Sequence, residues 1–65
     1  MIYQVAIEEY FKPTATTPDK CQILVSPEAL QANDANDAMI RTGAKHSKAI
    51  LESKADYFKV SVKQF

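Results

Sequence analysis

Residues 2–11, IYQVAIEEYF, alternate in side-chain character, and this alternation constrains the fold more than any other feature of the chain. The two sides of the alternation are Tyr3, Val5, Ile7 and Phe11 on one, and Gln4, Ala6, Glu8 and Tyr10 on the other. A period of two is typical of a β-strand that buries one of its faces. The pattern therefore predicts a first strand over residues 2–11.

Two further strands are predicted. The segment KPTATTPDK contains two prolines, which cannot continue a strand ladder, and it is interpreted as a long hairpin loop. CQILV then resumes strand character, so residues 20–25 are predicted to pair antiparallel with the first strand. Near the other end, DYFKVSVKQF alternates again and predicts a third strand. Its two sides are Phe58, Val60 and Val62, and Tyr57, Lys59, Ser61, Lys63 and Phe65.

The helix between these strands has two candidate starts. One is at Ser26, in SPE, and the other is at Asn33 or Asp34, in NDAND. The earlier start would set Leu30 on the polar stripe of the helix, so we favour the later one. The second strand would then continue to residue 32, with Pro27 at an edge or a bulge.

Helix-ending signals occur about ten residues later. Gly43 is a natural helix stop, and Lys45 and His46 suit the negative end of a helix dipole. KAIL, residues 48–51, is favoured as a short extra strand, with the end of the helical region as the alternative. The sequence therefore predicts one small α+β domain over residues 1–65, with an antiparallel sheet of three or four strands covered on one face by one helix. The element order is β-β-α-β, or β-β-α-β-β.

A hairpin whose second strand ends just before NDANDAMI, followed by KAILESKADYFKV, is similar to a pattern in small uncharacterised proteins of Bacteroidetes and their phages. The resemblance covers most of the chain as a pattern. It implies this fold and a phage or mobile-element origin, and it implies no known activity.

The chain is short for a self-sufficient fold. A domain of about 60 residues buries only about 60% of its unfolded surface, so chains of this size commonly depend on disulfides, a metal or a partner. Cys21 is the single cysteine and cannot form an internal disulfide, and together with the single His46 it supplies too few ligands for structural zinc. A partner, in the first place a second copy, is the expected source of stability.

The chain begins at Met1 without a signal-peptide pattern, and no apolar run reaches the roughly 18 residues of a membrane span. We therefore expect a complete small gene product in the cytoplasm, not bound to a membrane.

The doubled Ala-Asn-Asp of residues 32–37 suggests a cation site, but an EF-hand loop starting at Asp34 would need an oxygen ligand at Ala38 and a glycine at Met39. Helix capping explains both aspartates. Cys21 and His46 would have to meet in space to act as nucleophile and base, and RTGAKHSK lacks the spacing of a phosphate-binding loop. The sequence therefore predicts a non-enzymatic protein with no catalytic residue, metal or cofactor.

Charge is unevenly distributed in a chain whose net charge is zero. Residues 1–40 carry six acidic and two basic side chains, whereas residues 41–65 carry six basic and two acidic ones. The predicted ligand or partner face combines the basic cluster near the helix end with the outer side of the last strand. Its residues are Arg41, Lys45, His46, Lys48, Tyr57, Lys59, Lys63 and Phe65.

The leading functional hypothesis is an interaction module that binds a protein partner or self-associates. Alternating aromatic and lysine side chains also suit single-stranded nucleic acid, which is the alternative hypothesis. A third is a minor structural subunit of a larger particle. The competing structural interpretations are that these side chains pack under another element, or that the lysines protect a sheet edge.

Overall fold

The computed structural model describes residues 1–64 as a small α+β fold with three strands and two helices. The elements are β1 (Ile2–Phe11), β2 (Lys20–Gln31), α1 (Ala35–Lys45), α2 (Ser47–Glu52) and β3 (Tyr57–Gln64). The strands form one antiparallel sheet in the order β2-β1-β3, so β1 is central. The predicted fold class, hairpin and third strand are confirmed.

The side of β1 predicted to be apolar is the side that is buried. Tyr3, Val5 and Ile7 are all buried, and Val5 has no exposed surface. The same face, called the covered face below, continues at Glu9, which is only 7% exposed. The Glu9 carboxylate accepts hydrogen bonds from the Gln22 side-chain amide, at 3.0 Å, and from the Ser53 hydroxyl. These two partners compensate the loss of water around a buried charge.

β2 is an irregular edge strand. Val5 opposes Glu28 and Ile7 opposes Val25, so two residues of β2 face the single Ala6. A second irregularity lies directly beside the first, since Glu8 opposes Ile23. Pro27, which has no N–H to donate, lies within the first irregularity. The predicted continuation of the second strand through Pro27 is confirmed, and the strand ends at Gln31.

The later helix start is also confirmed. Asp34 is the N-cap of α1, and its carboxylate accepts the backbone N–H of Asp37 at 2.7 Å. The Asp37 carboxylate accepts the backbone N–H of Asn33 and the Nε–H of Arg41, both at 2.9 Å. The backbone bond to Asn33 is the main reason that the pKa of Asp37 is lowered, and Arg41 lowers it further.

The predicted end of the helix was wrong. α1 continues through Gly43 to Lys45, and Gly43 does not adopt the left-handed conformation of a helix-ending glycine. The segment 48–51, favoured as a strand, lies in helix α2, so there are two helices where one was predicted. A short apolar run such as KAIL satisfies either periodicity, and here it is joined to the end of α1 through His46.

α1 packs against the covered face through two small side chains. Ala38 and Thr42 lie one turn apart and are buried, and the Thr42 hydroxyl donates to the Ala38 carbonyl at 2.9 Å. Ala38 joins Tyr3, Val5 and Ala32 in the core, with Leu30 and Val62 packed against them. Small residues let the helix approach the sheet closely, so a modest set of side chains makes the core.

The folded chain is extended for its size. Its radius of gyration is 13.1 Å, whereas a compact chain of this length has about 11 Å. Its accessible surface is 4690 Å², against about 4,200 Å² for a compact monomer of this mass. In residues 1–64 no helix combines the length and apolar character needed to cross a bilayer.

Candidate functional site

The side of the sheet opposite the helices has no element packed on it in the described chain. It is called the open face, and its rows are set by the strand register. From one end to the other, the rows are Cys21, Tyr10 and Tyr57; Ile23, Glu8 and Lys59; Pro27, Ala6 and Ser61; and Ala29, Gln4 and Lys63. Side chains alternate across a strand, so burial of Tyr3, Val5 and Ile7 on the covered face turns this second set away from the helices.

Two tyrosines form the first end of the open face. The rings of Tyr10 and Tyr57 stack with their centroids 4.5 Å apart and their planes inclined by 26°. The Tyr10 hydroxyl donates to Asp19 at 3.5 Å. The pKa of Tyr10 is raised, first because the phenol is partly desolvated and then because the Asp19 carboxylate lies nearby. Tyr57 stays 49% exposed, so one side of the stack is available to a ligand or partner.

Next to the tyrosines lies an apolar side chain that nothing in the described chain covers. Ile23 is 62% exposed and sits in the row of Glu8 and Lys59. Beside it the Cys21 thiol donates to the Glu8 carboxylate at 3.1 Å. That hydrogen bond is the main reason that the pKa of Cys21 is raised, so the thiol is held in its protonated, less nucleophilic form.

The second end of the open face is concave. A shallow depression of about 200 Å³ lies there, with Ala6 and Ser61 as its smallest side chains. Its lining residues are Gln4, Ala6, Pro27, Ser61, Val62 and Lys63. The open face therefore has protruding aromatic and aliphatic groups at one end and a hollow at the other.

The predicted partner face is divided between the two sides of the sheet. Tyr57, Lys59 and Lys63 do share the open face, as their alternation indicated. Phe65 lies outside the described residues. Arg41, Lys45, His46 and Lys48 belong to the helices or their junction and lie on the covered side, so the basic half of the chain does not form one patch.

Three of these basic residues, Arg41, Lys45 and His46, have local partners. The Arg41 Nε lies 2.9 Å from Asp37, within α1. The Glu28 carboxylate lies 2.9 Å from His46 Nε2 and 3.5 Å from Lys45 Nζ. These contacts connect the end of α1 to β2. These contacts, His46 first, lower the pKa of Glu28. Dipole complementarity and ion pairing account for this cluster.

A second depression, of about 320 Å³, lies at the end of the sheet beside the start of α1. It is lined by Met1, Gln31, Ala32, Asn33 and Arg41. The guanidinium of Arg41 is already paired with Asp37. This depression therefore has less to offer a ligand than the open face.

The residues considered for chemistry are not assembled into a reactive site. Cys21 lies on the open face in the row of Tyr10, whereas His46 contacts Glu28 on the covered face. Within residues 1–64 no three His, Cys, Asp or Glu side chains are grouped as a metal site would require. Asp34 and Asp37 serve the helix start.

Sequence reasoning missed Ile23 and the stacking of Tyr10 on Tyr57. The alternation of β1 did put Tyr10 on the outer side, but pairing it with Tyr57 required the β1–β3 register. Ile23 was overlooked because a short apolar run does not show which of its residues faces outward when the strand is bulged.

The chain matches no protein family, no curated protein and no solved structure. Its function must therefore be argued from the open face and its own residues.

Proposed function

We propose that the protein is a small non-enzymatic interaction module whose open face binds a protein partner. The observation that carries the proposal is the exposure of Ile23 and Tyr57 on the side of the sheet opposite the helices. Aromatic and aliphatic side chains of this kind, rimmed by polar ones, are typical of the centres of protein interfaces. Lys59 and Lys63 supply polar groups on the outer strand β3, and Glu8 supplies one on the central strand between Ile23 and Lys59.

The size of the core supports a partner. Within the described residues the buried apolar side chains are Tyr3, Val5, Ile7, Val25, Ala32 and Ala38. Two of these six are alanines, so the area removed from water on folding is small. Burying the open face against another protein would add the apolar contact that the monomer lacks.

Site-specific photo-crosslinking tests the proposal. Tyr57 is replaced by p-benzoylphenylalanine, which keeps an aromatic ring at that position, and the chain is produced and irradiated in the cells that encode it. Because the open face is the contact surface, we expect covalent adducts with protein, identified by mass spectrometry. The matched control carries the same photo-reactive residue at Leu51, which is 84% exposed on α2.

Protein adducts from position 57 and none from position 51 support the proposal. Adducts from position 51 alone, or none from position 57, would reject it. The adduct also identifies the partner, which can be another protein or the chain itself.

Single-stranded nucleic acid is a second candidate ligand, favoured by the row of Tyr57, Lys59 and Lys63 along one strand. Fluorescence polarisation with a labelled oligonucleotide at low salt tests it. Binding should weaken steeply with added salt and with Lys59→Glu, while Lys48→Glu on α2 should have a smaller effect. No polarisation change at low salt removes this candidate.

A subunit of a larger particle would use the same surface in another setting. An adduct from Tyr57 to one repeated neighbouring protein would favour that role.

A further inference from the structure

We propose that the partner is a second copy of this chain, docked face to face on the open face with the strands of the two copies antiparallel. This inference rests on the proposed function and names its partner. The open face is complementary to itself in shape and in charge, and the experiments below separate the two proposals.

Shape complementarity comes from the two unlike ends of the face. Tyr57 and Ile23 protrude at one end, whereas the depression of about 200 Å³ occupies the other. A two-fold axis that exchanges the ends sets the protruding groups of each copy over the depression of the other. Such an isologous contact is the commonest arrangement of soluble homodimers.

The strand register fixes where this axis must lie. Val25, Ile7 and Val60 form one row across the three strands, and this row is midway between the two ends of the open face. An axis along it, perpendicular to the strands, sets Tyr57 opposite the second copy's Lys63 and Ile23 opposite its Pro27. Glu8 then faces the second copy's Ala6. Each large or charged group therefore meets a small or complementary one.

Charge distinguishes this arrangement from the other face-to-face arrangement. An axis parallel to the strands would set Glu8 directly against Glu8 of the second copy, which is destabilising when both are ionised. The antiparallel arrangement instead brings Lys63 over the ring of Tyr57, where a cation–π contact is favourable. The Asp19 carboxylate, beside Tyr10, lies at that same end of the face.

The two sheet edges compete poorly with the open face for a second copy. The β2 edge is interrupted at Pro27 and Leu24, and a β3–β3 pairing centred on Ser61 would set Lys59 against Lys63. The open face is therefore the surface best suited to a second copy.

Size-exclusion chromatography with light scattering provides the first test. We expect the molar mass to rise with concentration from 7.3 kDa to twice that value. Ile23→Glu should hold the chain at the lower mass, because it sets a charge against the second copy's Pro27. Leu51→Glu, which adds the same charge on the covered side, should still dimerise.

Crosslinking of paired cysteines tests the antiparallel geometry. Facing sheets lie about 10 Å apart, so a short bismaleimide can join side chains that are directly opposed. The axis sets Cys21 opposite the second copy's Ala29, so Ala29→Cys should give covalent dimer in high yield. The native chain, whose two Cys21 thiols would lie at opposite ends of the interface, should not. Cys21→Ser combined with Ala29→Cys should not either.

The outcomes separate the two proposals. A mass of one chain at every concentration overturns the second-copy inference, while protein adducts from position 57 would still support the interaction module. A dimer that survives Ile23→Glu, or that crosslinks equally well through Cys21 alone, overturns the face-to-face antiparallel arrangement. A concentration-dependent dimer that only the Cys21 and Ala29→Cys pair can crosslink supports it.

Discussion

The two faces of β1 carry different kinds of residue for different reasons. On the covered face, Val5 is sealed by α1, whose Ala38 and Thr42 are small enough to let the helix come close. On the open face, the neighbouring strand positions hold Ala6, Glu8 and Tyr10, which stay partly accessible. Most of the buried apolar side chains lie on the covered face, whereas Ile23 and Tyr57 stay exposed on the open face. In the proposed interaction module, stability and binding are assigned to opposite sides of one strand.

The largest expected difference between the two faces, in the free energy of unfolding, is tested by a pair of truncations, one on each face. Val5→Ala should lower the free energy of unfolding by roughly 2 kcal/mol, since it removes buried methyl groups and leaves a cavity. Ile23→Ala should change it by less than about 0.5 kcal/mol. Urea unfolding at low protein concentration, where association does not contribute, measures both. Equal losses would show that the two faces do not differ in this way.

A second test uses the pH dependence of unfolding to measure how much the Glu28 contacts stabilise the covered side. The lowered pKa of Glu28 means that the folded state favours its charged form. Its contribution to stability is therefore complete above the ordinary glutamate pKa, about 4.3, and is lost as the pH falls through the lowered value. The difference in unfolding free energy between the native chain and Glu28→Gln should therefore shrink as the pH falls below about 4.3.

Urea unfolding over a series of pH values gives this difference directly. Glu52→Gln, on α2 and outside the pair with His46, is the control for removing one negative charge. A difference that grows as the pH falls below about 4.3 would contradict the stabilising role of the Glu28 contacts.

The smallest expected effect concerns the open face. Partial desolvation and Asp19 raise the pKa of Tyr10, so the folded state favours the neutral phenol. Asp19→Asn should lower the pKa of Tyr10 modestly, because desolvation, the larger cause, is left in place. The stabilisation that comes from keeping the Tyr10 phenol neutral should be complete below about pH 10. It should be lost as the pH rises through the raised pKa of Tyr10. Nuclear magnetic resonance of labelled tyrosines measures the titration, with Tyr3 on the covered face as internal reference. An unchanged titration of Tyr10 would rule out a role for Asp19.

Elements defined by local chemistry were predictable from the sequence. The alternation of β1 and β3 and the cap at Asp34 are readable because each depends on neighbouring residues alone. The conformation of residues 48–51 was not readable, since a four-residue apolar run fits a helix or a strand and tertiary packing beyond the end of α1 makes the choice.

The part of the candidate site that depends on a single strand was also readable from the sequence. Tyr57, Lys59 and Lys63 share a face because they share a strand. Arg41 and Lys48 lie on the other side of the sheet, because the packing of Ala38 and Thr42 decides on which side the helices lie. The stack of Tyr57 on Tyr10 likewise depends on a register between distant strands.

The broken edge of β2 has a consequence for how large an assembly can grow. A sheet with two regular edges can recruit strands without end and form fibres. Here one edge lacks a donor at Pro27 and is kinked by two register shifts, and the other carries Lys59 and Lys63. Addition at an edge is therefore discouraged on both sides, whereas a contact through the face closes on itself after two copies. In the proposed dimer, association would therefore stop at two copies.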